Sequence, residues 1–349
     1  MKYEEGLIKI FVPDRQKLMK KNEIFLNEHK KFDRDLNVFL VKALKLKGKT
    51  YLELMGASGI RGLRLGKETK AFKKIIINDY KLEAVRNAEK NAEENKVKIE
   101  SMNEDAKKLL SNLNQGVDYV DVDPFGSPIY YVRSACLALS RNGVLSITST
   151  DTGALSGTFP KACRRRYHAV PYKTEFYYEN GLRILAKAVI EEASIHDIAL
   201  VPFFAHATRH YFRIYFRKVK GAKETDELMR MINYLSYCPD CLERSIGLKE
   251  VCGCGKKRVI IGPLFTGKLY DISLVKRMKK SGEYEDFFDK IIEEAGIDVP
   301  WFYTTDSLAR KYKICEPRMR DLKCARTHIN PKGFKTSKSV KEILATLPQ

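Results

Sequence analysis

The sequence predicts an α/β protein: a Rossmann-like, largely parallel sheet with helices on both faces, a terminal antiparallel strand, and a smaller α+β region after it. Three observations predict this. From residue 50 to about 149, short apolar runs alternate with amphipathic stretches, the pattern of strand–helix–strand units. Two of those runs end on a carboxylate, Asp79 and Asp123, where the chain then turns, and in open α/β sheets sites lie beyond the carboxyl ends of strands. Two later apolar runs, 198–204 and 211–217, are joined by a link too short for a crossover, so they form a hairpin and reverse the last strand.

Length and charge frame the rest. The chain has 349 residues, more than one domain usually needs, and the alternation stops after Lys218, so the expected domains are 1–218 and 219–349. Lys and Arg number 64 against 44 Asp and Glu, an excess that suits a polyanion, most simply nucleic acid. A membrane surface is the rival partner. It is disfavoured by the lack of a long apolar run, a signal h-region or a lipidation motif, so the expected compartment is the cytoplasm. Eight cysteines in so long a chain do not make a disulfide scaffold.

In chain order, residues 7–12 form a strand, and a polar helical stretch carrying Phe25 follows. Behind Asp33-Arg34-Asp35, apolar positions recur at helical spacing over 36–46. The strand 51–55 runs into Gly56-Ala57-Ser58-Gly59-Ile60-Arg61-Gly62, a turn that opens a helix. Its small residues allow close approach of a ligand and its helix start offers N–H groups, although a nicotinamide-cofactor loop or tight packing uses the same residues. Strand 75–79 ends on Asp79, the place where ribose hydroxyls are held in dinucleotide and methyl-donor folds alike. Helix 82–95 and strand 98–102 lead to Asn103-Glu104-Asp105-Ala106, where an acid can meet an adenine amino group. The fourth strand stops at Asp123-Pro124-Phe125-Gly126-Ser127-Pro128: Pro124 cannot donate to the ladder, and Gly126 and Pro128 turn the backbone. Helix 129–140, strand 144–149, a long connection and helix 180–193 then precede the hairpin.

Basic residues interleave with aromatic ones in Cys163-Arg164-Arg165-Arg166-Tyr167-His168 and in Thr208-Arg209-His210-Tyr211. This suits a phosphate backbone with unstacked bases, or else plain solvated turns. Cys238-Pro239-Asp240-Cys241 and Cys252-Gly253-Cys254-Gly255 have the spacing of a four-thiolate structural zinc knuckle, with no position left open for catalysis. Further on, helix 284–295, helix 308–313, a second helix from Glu316-Pro317 to about 324 and a strand 325–329 resemble a winged helix with Arg318, Arg320, Lys323 and Arg326 on a basic face. A small helical cap over the zinc knuckle fits the same pattern.

The acid, proline and aromatic ring of Asp123-Pro124-Phe125 resemble the turn of methyltransferases that modify exocyclic amino groups of nucleobases. Such an amino group is a poor nucleophile because its lone pair is delocalised into the ring. It must be held in line by an acceptor, here Asp123 or a carbonyl of the turn, while Phe125 stacks on the base. A capping acid in a tight structural turn is the alternative. Parallel strands closed by one antiparallel strand are the architecture of S-adenosylmethionine-dependent methyltransferases, whereas a nicotinamide oxidoreductase more often ends on a parallel strand.

Together with the tail from Ala325-Arg326-Thr327-His328-Ile329 to Lys335-Thr336-Ser337, these motifs are similar to the tRNA guanine-26 N2-dimethyltransferases in their archaeal form, nearly end to end. The resemblance implies S-adenosylmethionine as donor and N2 of a tRNA guanine as acceptor, methylated once or twice. It implies that Arg34, Arg61, Asp79, Asp105 and Ala106 hold the donor, and that Asp123 faces the guanine amino group with Phe25 and Phe125 as aromatic partners. Residues 27–32 are more charged than the family pattern. An amino methyltransferase for another tRNA guanine or for DNA, and a non-catalytic RNA-binding protein that keeps the donor fold, share these features.

Overall fold

The computed structural model describes residues 1–12, 24, 26–113, 115–208, 210–322 and 324–347. Phe25, Arg209 and Lys323 lie outside the described residues, as does nearly all of the polar stretch expected before residue 26. Contacts divide the chain into two units, Met1–Pro124 with Tyr130–Ile147, and Phe125–Ile129 with Thr148–Gln349.

The first unit begins with β1 (Lys2–Glu5) and β2 (Ile8–Phe11), a hairpin turning on Gly6 at φ +58°. It continues through α1 (Lys31–Leu44), β3 (Lys49–Glu53), α2 (Ile60–Glu68), β4 (Phe72–Asn78), α3 (Leu82–Glu94), β5 (Glu100–Met102), α4 (Ala106–Asn112), β6 (Val117–Val122), α5 (Ile129–Ala138) and β7 (Leu139–Ser149). Strands β5-β4-β3-β6-β7 pair in parallel in that order. Leu52, Ile76, Val120 and Leu145 are all buried, as expected where both faces of a sheet are covered. The outer edge of β2 is met by Asn91 of α3 and by Asn95, which caps that helix. Asn95 exchanges hydrogen bonds with the backbone of Lys9 (2.8 and 2.6 Å), and Asn91 accepts from the Phe11 N–H (2.8 Å). These side chains satisfy ladder groups that no strand takes.

The second unit holds α6 (Thr152–Leu155), α7 (Pro160–Tyr167), α8 (Tyr177–Ser194), β8 (Ile198–Thr208), β9 (Tyr211–Lys220), α9 (Ala222–Arg230), β10 (Ile232–Tyr237), β11 (Arg244–Ile246) and β12 (Val259–Phe265). It ends with α10 (Ile272–Lys279), α11 (Glu285–Ala295), β13 (Tyr303–Thr304), α12 (Thr305–Tyr312), α13 (Met319–Leu322), β14 (Ala325–Arg326), β15 (Gly333–Lys335) and α14 (Val340–Ala345). Strands β8 and β9 form the expected antiparallel hairpin, and the main sheet has the order β5-β4-β3-β6-β7-β9-β8. The alternation expected to stop after Lys218 continues through α9 into β10, and α8 packs on both β8 and β12, which joins the hairpin to the residues that follow it.

Two small sheets complete this unit, β11-β10-β12 around the cysteines and β13-β15-β14 near the tail, both antiparallel. The strand expected over 325–329 covers only Ala325–Arg326. From Thr327 the chain turns back: the Thr327 N–H bonds the Gly333 carbonyl and the Gly333 N–H bonds that of Asn330. A buried ion cluster fixes the tail. Lys335 donates to Glu179 on α8 (2.9 Å), which also accepts from Arg183 (2.8 Å), while His328 pairs with Glu294. Burial raises the Glu179 carboxyl, but Lys335 and Arg183 outweigh it and hold it below the usual carboxylate range. Among the described residues, no helix is long and apolar enough to cross a membrane.

Candidate functional site

The apolar run of β6 carries Asp121 and Asp123 to the carboxyl end of a central strand, the place the sequence predicts for a site. Asp123 is met by two cations: Lys30 at 2.7 Å from Oδ2 and closer still to Oδ1, and Arg61 at 3.0 Å from Oδ2. Arg61, 5 % exposed, also bonds Asp33 (2.6 Å) and lies 3.7 Å from Asp121. Both cations favour the ionised, acceptor-only form of Asp123. Beside them, Glu53 at the end of β3 accepts from the Gly62 N–H (2.8 Å). Burial pushes the Glu53 carboxyl up to about 8. Arg61 and the Gly62 amide oppose that rise, and Asp121 and Asp123 add to it.

The glycine-rich turn leaves β3 as predicted, and its geometry shows what the glycines do. A Cβ on Gly56 would lie 2.3 Å from Cγ2 of Ile77, and Gly59 caps α2 at φ +73°, a region that side chains disfavour. Asp79, at the end of β4, accepts from the N–H groups of Ala57 (2.9 Å) and Lys81 (3.0 Å), so it braces the turn. Asp105 caps α4, with Oδ1 accepting from Lys107 (3.0 Å) and Lys108 (3.1 Å). The side chain of Asp105 is exposed and its Oδ2 has no partner among the described residues; Ala106 is buried. Arg34 is buried and donates to both oxygens of Glu5 (2.7 and 2.6 Å) and to the Asn27 carbonyl (3.0 Å). The structure thus brings Asp123, Arg61 and Asp33 together and places Arg34 in a separate cluster with Glu5 and Arg64.

In the second unit the Phe125 ring is 53 % exposed. The turn behind it is clamped: the Gly126 N–H donates to Oγ1 of Thr150 (2.6 Å) and the Thr150 N–H returns to the Gly126 carbonyl (3.0 Å). Gly126 sits at φ +82°. Lys30, Glu5, Glu53 and Arg64 belong to these clusters and are not singled out by the sequence. Lys30 lay within the charged run 27–32, and only its position at the start of α1, opposite β6, gives it a role. Glu5 sits in a strand whose charged composition hides it.

The cysteines of the expected knuckle do converge. The Sγ atoms of Cys238, Cys241, Cys252 and Cys254 all lie within 4.8 Å of one another, with Cys238 to Cys254 at 3.7 Å and Cys241 to Cys252 at 3.4 Å. A tetrahedral zinc with Zn–S bonds of about 2.3 Å needs sulfurs about 3.8 Å apart, so the set fits a structural zinc ion. Turns in the backbone present the thiols: the Leu242 N–H bonds the Cys238 carbonyl and the Gly255 N–H that of Cys252, both at 2.8 Å.

The family model described as N2,N2-dimethylguanosine tRNA methyltransferase matches residues 6–348. A tRNA (guanine(26)-N(2)/guanine(27)-N(2))-dimethyltransferase from Aquifex aeolicus is 36% identical over 374 residues, covering 99% of this chain and 95% of its own. A tRNA (guanine(26)-N(2))-dimethyltransferase from Pyrobaculum arsenaticum is 37% identical, covering 97% and 96%. The structure of Trm1 from Pyrococcus horikoshii with S-adenosyl-L-methionine superposes with a TM-score of 0.90 at 27% identity, over 100% of both chains. With the acid-ended strands, the reversed terminal strand and a match from residue 6 to residue 348, the chain belongs to the N2,N2-dimethylguanosine tRNA methyltransferase family.

Proposed function

We propose that the protein transfers one or two methyl groups from S-adenosylmethionine to the exocyclic N2 of guanine 26 in tRNA. The observation that carries this reading is the Asp123 carboxylate at the end of a central strand, kept an acceptor by Lys30 and Arg61. S-adenosylmethionine, when bound, supplies an electrophilic methyl group. Asp79, Asp105 and Ala106 would hold its ribose and adenine and Arg61 its charged end, while Arg34, bound to Glu5 and the Asn27 carbonyl, would act from the neighbouring cluster. Carboxylates suit that task because they accept from hydroxyl and amino donors.

The target guanine leaves the tRNA stack at a cost of a few kcal/mol, which stacking and phosphate contacts offset. Phe125, with Phe25, stacks on the base. Asp123 would accept from its N2–H and aim the nitrogen lone pair; as the N–C bond forms, the methyl–sulfur bond of the donor would break, its electron pair leaving with the neutral thioether S-adenosylhomocysteine, and Asp123 would take the N2 proton. We assign methyl transfer to residues 1–218. Residues 219–349, with the zinc knuckle and a winged-helix-like tail, contact tRNA, and the protein works in the cytoplasm where that tRNA is found.

The test is incubation with unmodified tRNA transcripts and methyl-labelled S-adenosylmethionine, followed by nucleoside mass spectrometry. Labelled dimethylguanosine that disappears when guanine 26 is replaced is expected. Label that persists until guanine 27 is also replaced extends the activity to the second position named for the Aquifex relative. No label in N2 of any guanine overturns the reading. Asp123→Asn is expected to lower kcat by 10²- to 10⁴-fold, the usual worth of a positioned base, while the Kd for tRNA stays within twofold.

A further inference from the structure

The helix α7, in the connection that follows β7, has the sequence Pro-Lys-Ala-Cys-Arg-Arg-Arg-Tyr and contains no acid. Its three consecutive arginines do different things. Arg166 donates to Asp151 (2.7 Å) and the buried Tyr167 donates its hydroxyl to the same carboxylate (3.2 Å), so these two residues fasten the helix. Lys161, Arg164 and Arg165 stand at i, i+3 and i+4, hence on one helix face. All three are exposed and have no ion-pair partner among the described residues. Like charges at that spacing repel one another, and an unneutralised cationic face complements a polyanion.

An aromatic ring stands at the head of this helix. Phe159, the residue before α7, is 62 % exposed, yet it is held in place. Its N–H bonds the Gly153 carbonyl (2.9 Å), and a Cβ on Gly153 would lie 2.6 Å from the ring. The ring therefore lies flush on a residue without a side chain, its position fixed while most of its surface meets solvent. Tyr172, 37 % exposed, belongs to the segment that closes on the same loop: Gly157, at φ +93°, leaves its Cβ position 2.9 Å or less from the backbone of Tyr172 and Lys173.

The anchors of α7 are also those of the turn that carries Phe125. Thr150 clamps Gly126, Asp151 next to it holds Arg166 and Tyr167, and Ser149 meets the Tyr167 hydroxyl (3.3 Å). We infer that Phe159 and the Lys161, Arg164, Arg165 face form the surface that receives the nucleotides flanking the target guanosine. The ring stacks on a neighbouring base bared by flipping, and the three cations meet the adjoining phosphates. This rests on the tRNA reading above, and it separates Arg166, a structural residue, from the arginines beside it.

The test uses the full-length protein with tRNA, comparing wild type with Arg164→Ala/Arg165→Ala, Phe159→Ala and Phe159→Trp. The double variant is expected to raise KM for tRNA with kcat within twofold, and to flatten log Kd against log salt by about 1.5 to 2, one counterion per lost phosphate contact. Phe159→Ala is expected to weaken tRNA binding about five- to 150-fold, the worth of one stacked base, and Phe159→Trp to restore it. Circular dichroism confirms that each variant is folded, which exposed positions should allow. An unchanged salt slope in the double variant, or equal binding by Phe159→Ala and wild type, overturns the surface while wild-type methylation of tRNA still stands. If the wild type itself places no methyl group on a tRNA guanine, the functional reading fails, and the surface with it.

Discussion

Replacing Glu5 by Gln tests whether the first strand is bound to the rest of its unit by charge. Glu5 is 3 % exposed and accepts from Arg34 (2.7 and 2.6 Å), Arg64 (2.8 Å) and the Tyr3 hydroxyl (2.9 Å). Burial by itself raises this carboxyl, but Arg34 and Arg64 outweigh it and hold it at about 2, against 4.5 for a free glutamate. That difference corresponds to about 3 kcal/mol of stability. Removing one partner of a buried ion pair costs about 3–5 kcal/mol by a separate route. Because the folded value lies below the unfolded one, this contribution is full above about pH 4.5 and is lost as pH falls through about 2. Glu5→Gln is therefore expected to lower the unfolding free energy in urea by about 3 kcal/mol at pH 7 and by only about 1.5 kcal/mol at pH 3. A loss that is the same at both pH values, or that stays below about 1 kcal/mol at pH 7, refutes the argument.

Three further outcomes are expected. Lys335→Met leaves Glu179 with Arg183 alone and should destabilise the second unit by about 3 kcal/mol, part of which the double variant Glu179→Gln/Lys335→Met recovers; equal melts for single and double variants would contradict this. Elemental analysis should find one zinc per chain, lost in Cys241→Ser together with protection of the β11-β10-β12 sheet from proteolysis, and a zinc-free wild type of full stability would rule the metal out. Gly56→Ala drives a Cβ to 2.3 Å from Ile77, which should cost about 1–3 kcal/mol in thermal unfolding and weaken donor binding in calorimetry.

Much of the site was legible because its residues are punctuation in the chain. An acid after an apolar run marks a strand's carboxyl end, and this located Asp79 and Asp123 without knowledge of the sheet order. The cysteine spacing likewise located the knuckle. What could not be read was the pairing between distant residues. Arg61 and Asp33 are 28 residues apart, Lys30 and Asp123 are 93 apart, and nothing local selects either partner. Helix α4 is hidden in the sequence because Asp105 after a strand suits a ligand contact; followed by Ala-Lys-Lys-Leu-Leu it is also a capped helix start, and the structure uses it as one. Strand β1 was missed because its residues Lys-Tyr-Glu-Glu lack apolar alternation. Its inward-facing position is filled by an ion pair instead.

The clamp between Glu179 and Lys335 also orders events during synthesis. Its halves are 156 residues apart. At roughly 5–20 residues per second, the lysine leaves the ribosome on the order of ten to thirty seconds after the glutamate. In that interval α8 carries a carboxylate destined for complete burial with Arg183 as its neighbouring cation. The last strand of the tail thus acts as a checkpoint: a product cut short before residue 335 keeps the helix but lacks the charge that lets it close, which leaves it open to proteases that a finished chain resists.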